Sequence, residues 1–141
     1  MPGLSPFLPS LRLTAFVCTN CGFWQRSSQV PTSCPICLDS RHVPPTGDWV
    51  FRSFEDARNR YPCHMEELLE GLYRIWNEPV EGIGPNSYLS ISQSGNFLFE
   101  GATVFSDEVI SNIWDLGGIS YLSYSHPHSY GALWQIEELF E

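Results

Sequence analysis

The chain has 141 residues, enough for one modest domain or a small module joined to a partial one. Hydrophobic residues make up 43% and aromatics 14%, which permits a packed core and argues against wholesale disorder. The net charge is −9, from 7 basic and 16 acidic residues, and every basic residue is an arginine. Arg74 is the last of them; nine acidic residues follow it. Such a surface repels phosphate backbones, so nucleic acid is not expected as a partner. No stretch is long and apolar enough to span a membrane, and residues 1–10, with three prolines and no basic segment, do not read as a signal peptide. A cytoplasmic, intracellular protein is the expectation.

In chain order, residues 1–10 read as a mobile leader. Leu11, Leu13, Ala15 and Val17 alternate with Arg12, Thr14 and Phe16, which predicts a strand entering a first cysteine pair. Residues 22–33 are polar and turn-rich and link it to a second pair. Residues 43–47, Val-Pro-Pro-Thr-Gly, break the chain, so residues 11–45 are expected to form a zinc-ribbon-like module. Residues 46–71 are expected to be a helical linker. Ser53 to Asp56 has the form of a capping box, and a second helix is predicted over 64–70, ending at Gly71. Residues 72–77, 87–92 and 96–100 read as strands, with a hairpin turn at 94–96. Ser106 and Asp107 open a helix bearing Val109, Ile110, Ile113, Trp114 and Leu116 on one face, and Gly117-Gly118 ends it. Residues 119–125 read as the next strand, parallel to 96–100, which makes a βαβ unit. From Gly131, Leu133, Ile136, Leu139 and Phe140 recur at helical spacing as an apolar stripe suited to a protein partner.

The strongest signal is the pair of C-x-x-C knuckles, Cys18/Cys21 and Cys34/Cys37. Two intervening residues turn both thiolates of a pair onto one metal, and two knuckles complete a tetrahedron. One structural zinc (Zn2+) is the expected cofactor; iron uses the same four thiolates. Four thiolates leave no open position, so the site is structural rather than catalytic. Cys63 stands apart and reads as a buried thiol.

Ser125-His126-Pro127-His128 follows the predicted strand. In extended structure His126 and His128 point the same way, within reach of one metal. Glu100 ends the neighbouring strand and is placed behind them as a supporting carboxylate.

From about Glu78 onward the chain resembles the first half of a metallo-β-lactamase-fold protein. The resemblance is carried by Pro79, Gly82-Ile83-Gly84, residues 95–100, residues 116–119 and residues 125–130. The cysteine pairs are similar to a zinc-knuckle extension on one branch of that superfamily. The resemblance implies an α/β fold: a partial metallo-β-lactamase-like β-sheet with a βαβ unit over 72–141, preceded by the zinc-ribbon-like module. It implies metallo-hydrolase ancestry and a metal motif whose first two histidines are His126 and His128. Tyr130 and Gly131 stand where the motif's aspartate and last histidine belong. A degenerate or truncated protein without robust hydrolase activity is therefore expected, its strands poorly covered on one face. The other reading is a non-enzymatic zinc-ribbon module that binds a protein partner.

Overall fold

The computed structural model describes residues 15–80, 82–137 and 140. The predicted leader, Leu11 to Thr14 of the predicted strand, and Leu139 of the terminal stripe lie outside the described residues. Strand β1 (Ala15–Cys18) buries Ala15 and Val17 completely. It lies between β2 (Trp24–Arg26) and β3 (Phe51–Ser53), antiparallel to both. β2 falls inside the segment read as a turn-rich link. Of its three residues only Trp24 is buried, which is too little alternation to mark a strand in the sequence.

Helix α1 (Phe54–Arg60) starts where the capping residues put it, with Ser53 Oγ accepting from the Asp56 N–H at 3.2 Å. The second predicted helix is not formed. Residues 63–69 are strand β4 (Cys63–Leu69), paired antiparallel with β5 (Leu72–Asn77). Glu66, Glu67 and Glu70 favour a helix locally, but β5 offers a ladder running from Cys63↔Asn77 to Leu69↔Leu72, and pairing overrides propensity. Gly71 adopts φ +79 as the hairpin turn rather than as a helix end, so the expected helical linker is one helix followed by an edge strand.

Strands β6 (Ser87–Ser90) and β7 (Phe97–Phe99) continue the sheet antiparallel, and β8 (Tyr121–Ser123) completes the order β4-β5-β6-β7-β8. β7 and β8 are parallel, with Phe97 opposite Tyr121 and Phe99 opposite Ser123, as the βαβ reading required. Helix α2 (Asp107–Asp115) connects them. Ser106 Oγ accepts from the Val109 N–H, and Val109, Ile110 and Ile113 are buried with Ile75, Leu89 and Leu98 of the sheet. Trp114, predicted on that buried face, is instead 52% exposed and packs on Phe140 with ring centroids 4.5 Å apart. The other face of the sheet is open, exposing Phe97, Phe99 and Tyr121.

The chain then forms α3 (Pro127–Ala132) and α4 (Trp134–Glu137). Leu133 and Ile136, read as an uncovered stripe, are fully packed in the core. The residues that cover them belong to both sheets, because one apolar cluster runs from Ala15, Val17 and Trp24 through Phe54 to Leu98 and Ile113. At its centre lies the strand-free segment 102–105, wholly buried. Four of its backbone groups bond to side chains, since buried amides and carbonyls require partners. Trp24 Nε1 donates to the Thr103 carbonyl at 2.7 Å. Asn77 donates to the Val104 carbonyl and accepts from the Val104 N–H. Gln135 accepts from the Phe105 N–H and donates to the Thr103 carbonyl.

Candidate metal centre

Each knuckle is a tight turn. The Gly22 N–H donates to the Cys18 carbonyl at 2.7 Å, and Gly22 takes φ +88, which a side chain would resist. The Leu38 N–H closes the second turn on the Cys34 carbonyl at 3.1 Å. Turned this way, the four sulfurs come within 4.8 Å of one another, all buried and none in a disulfide. Cys18 and Cys37 are 3.9 Å apart and Cys21 and Cys34 3.7 Å. Zinc–sulfur bonds of about 2.3 Å give a tetrahedron with edges of about 3.8 Å, so the donor set fits one zinc ion.

Backbone N–H groups around the sulfurs favour thiolates, while packing against the other sulfurs and burial leave Cys18 and Cys21 raised and Cys34 lowered. The N–H groups of Asn20 and Cys21 point at Cys18, that of Phe23 at Cys21, and those of Ile36 and Cys37 at Cys34. Asn20 Nδ2 donates to Cys37 Sγ at 3.2 Å and to the Val43 carbonyl at 3.0 Å, tying the knuckle to the chain that follows it. Hydrogen bonds from Cys18 and Cys21 hold Cys34 well below the usual thiol range, while the bonds to Cys18 and Cys34, with burial, push Cys21 far up. Packed thiols resist ionising side by side, and a divalent cation at their centre removes that conflict. Phe23, Ile36, Trp49 and Phe51 shield the group. From the other side Gly82 rests on the Cys21 backbone, and the Ile83 N–H donates to the Cys21 carbonyl. Cys63 is outside this cluster, and burial raises its thiol to about 12.

His126 and His128 do come together, but not on an extended strand. β8 ends at Ser123, and Pro127 starts α3, so His128 sits in the first turn of a helix. Proline suits that position because its fixed φ is already helical. The two rings stack with centroids 4.2 Å apart and face each other through their Nδ1 atoms. Burial, followed by His126 and His42, lowers His128 to about 4. His42 was not singled out in the sequence. It lies in the turn after the second knuckle, its N–H on the Asp39 carbonyl, with its ring 5.5 Å from that of His126 and 5.1 Å from that of His128. No sequence spacing connects residue 42 with residue 126. Only folding brings them together.

Glu100 lies at the same edge as expected. It has φ +67, and its Oε1 accepts from the Ser125 N–H at 2.7 Å and from the Ser125 hydroxyl. It therefore anchors the segment before the histidines rather than contacting their rings. Gly131 lies against Phe23 of the first knuckle, where a Cβ would meet the ring at 2.7 Å.

These features define a buried four-cysteine centre able to hold one zinc ion, within a small mixed α/β chain of two sheets. The chain is 32% identical over 133 residues to the uncharacterized protein YmaE of Bacillus subtilis (strain 168). That match takes in 89% of this chain and 47% of YmaE, so the chain spans about half the length of that curated relative. No family model matches the chain, and no solved structure matches it.

These comparisons correct the metallo-β-lactamase assignment, because neither a family model nor a solved fold of that kind is matched. The sequence blocks that suggested it have local structural explanations. Gly82 and Gly84 take φ +66 and +63 in a turn, Gly95 makes the β6–β7 hairpin, and Gly117 and Gly118 end α2. Pro127 starts a helix, and Gly131 makes room for Phe23. Turn and cap residues of this kind recur across unrelated folds.

Proposed function

We propose that this chain is a non-enzymatic zinc module, in which Cys18, Cys21, Cys34 and Cys37 hold one structural Zn2+ and the domain so stabilised binds a protein partner. One observation carries the reading: four buried sulfurs meet at tetrahedral spacing with no position left for a substrate or a water. Zinc is favoured over iron because it requires no redox role and suits a closed thiolate site. The partner surface we favour is the open face of the larger sheet, where Phe97, Phe99 and Tyr121 are exposed together.

The test is metal analysis of protein purified without added metal. We expect close to one zinc per chain, retained on dialysis and lost in Cys18→Ser and Cys34→Ser. Four thiols that react freely in the purified protein, with no metal recovered, would reject the reading. Screens with ester, lactam, thioester and phosphodiester substrates should stay at background. Turnover that survives removal of trace contaminants would argue against a non-enzymatic module.

A further inference from the structure

We propose that a second copy of this chain docks on the free edge of β8, the two β8 strands pairing antiparallel about a twofold axis at Leu122. β8 closes one side of the five-stranded sheet and β4 closes the other. The two edges are built differently. β4 carries Glu66 and Glu67, with Glu70 just beyond it, and its register shifts between Glu67 and Leu69. Charges and a bulge of this kind keep an edge from pairing with another chain. β8 has neither. No acidic residue, lysine or arginine occurs between Asp115 and Glu137, so a chain of net charge −9 can meet its own copy here without like charges facing each other.

The backbone of β8 is set for this pairing. The Tyr121 N–H donates to the Asn96 carbonyl at 3.1 Å, and the Ser123 carbonyl accepts from the Glu100 N–H at 2.9 Å. Both residues therefore turn backbone groups toward β7. Leu122 lies between them, so its own N–H and carbonyl point outward, and no backbone group among the described residues meets them. Antiparallel pairing centred on Leu122 gives each of these groups a partner on Leu122 of the second copy, with the two Cα atoms about 5.5 Å apart.

The side chains are self-complementary in the same register. Tyr121 and Ser123 stand opposite Phe97 and Phe99, on the open face. Across the twofold axis Tyr121 of each copy lies opposite Ser123 of the other, so a large ring that is 54% exposed meets a small residue twice. Leu122 stands opposite the buried Leu98, on the covered side of the sheet. There it lines a cleft of about 200 Å³ with Ile119, Ser120, Ile136, Glu137 and Phe140, and Leu122 of the second copy comes down beside it. The two five-stranded sheets become one, and their open faces join. The contact is made by the sheet edge, distinct from the face assigned above to a protein partner, with Tyr121 bordering both.

The experiment uses whole protein as purified. Sedimentation over a concentration series should show a monomer–dimer equilibrium that stops at the dimer, because a twofold pairing closes on itself. In amide exchange followed by NMR, the Leu122 N–H should slow as concentration rises, while those of Tyr121 and Ser123 hold constant. Leu122→Lys places like charges on the axis and should leave only monomer. Leu122→Pro removes the outward N–H without touching the ladder to β7 and should do the same. Zinc content, measured on every sample, reports the cysteine centre separately, so either reading can fail alone. Wild-type protein that stays monomeric would overturn the proposal, whatever other chain the edge accepts. So would a dimer that survives Leu122→Lys, which would leave the open face as the contact. A Leu122 N–H indifferent to concentration would overturn it without any variant.

Discussion

Gly82 carries no side chain because the Cys21 backbone already occupies the space: an added Cβ would lie 2.2 Å from the Cys21 carbonyl carbon and from Gly22 N. Its φ of +66 adds a second reason. Neither neighbour is a flexible side chain, so Gly82→Ala must push the loop off the first knuckle. We expect weaker zinc retention, measured as faster transfer to a competing chelator, together with a lowered melting temperature. Unchanged transfer would mean that the loop does not support the knuckle. Gln135 works at the same scale in the core. Its amide satisfies both the Phe105 N–H and the Thr103 carbonyl from a fully buried position. Gln135→Met keeps the length and strands the Phe105 N–H, while Trp24 still serves the Thr103 carbonyl, so chemical denaturation should register a loss of about 1–3 kcal/mol.

The helices and strands differ in how far their own residues decide them. α2 begins at Ser106, whose hydroxyl caps the Val109 N–H, and carries Asp107 and Glu108 in its first turn, where the helix dipole favours negative charge. Ser106→Ala should cost about 1 kcal/mol, readable as a shift in the denaturation midpoint with an unchanged slope. The parallel β7–β8 pair that α2 connects is three residues a strand, and of these only Leu98 is buried with Val109, Ile110 and Ile113. β4 is the contrasting case. Its glutamates suit a helix, and only the ladder to β5 makes it a strand.

At the scale of the whole molecule the two sheets share one core. Trp24 of the small sheet packs edge-on against Phe54 and Trp134, with centroids 5.7 and 5.6 Å away, and bonds to Thr103 beneath the large sheet. Metal removal should therefore not melt a separate ribbon. Chelator-treated protein should unfold in one transition at a lower temperature, with tryptophan fluorescence and far-ultraviolet dichroism coinciding. Two separated transitions would show that the sheets fold independently. The open sheet face predicts association at rising concentration, measured by sedimentation. Replacing Phe97 and Tyr121 with serine should abolish it while leaving the zinc content unchanged.

The sequence by itself determined the features whose cause is local. Two C-x-x-C turns fix the four-sulfur group because the spacing closes each knuckle on itself. Ser53 and Ser106 start their helices by bonding amides three residues away, and Gly117-Gly118 ends α2 by accepting a positive φ. The parallel β7–β8 pair was also legible, because an amphipathic helix between two apolar runs leaves few other arrangements. Tertiary structure alone decided the rest. β4 took its form from a partner strand, and β2 was too short to show a period. Leu133 and Ile136 looked uncovered because the residues that bury them are distant in the chain. His42 reached His126 and His128 for the same reason: contacts between residues far apart in sequence leave no spacing to read, and they form only when the shared core closes.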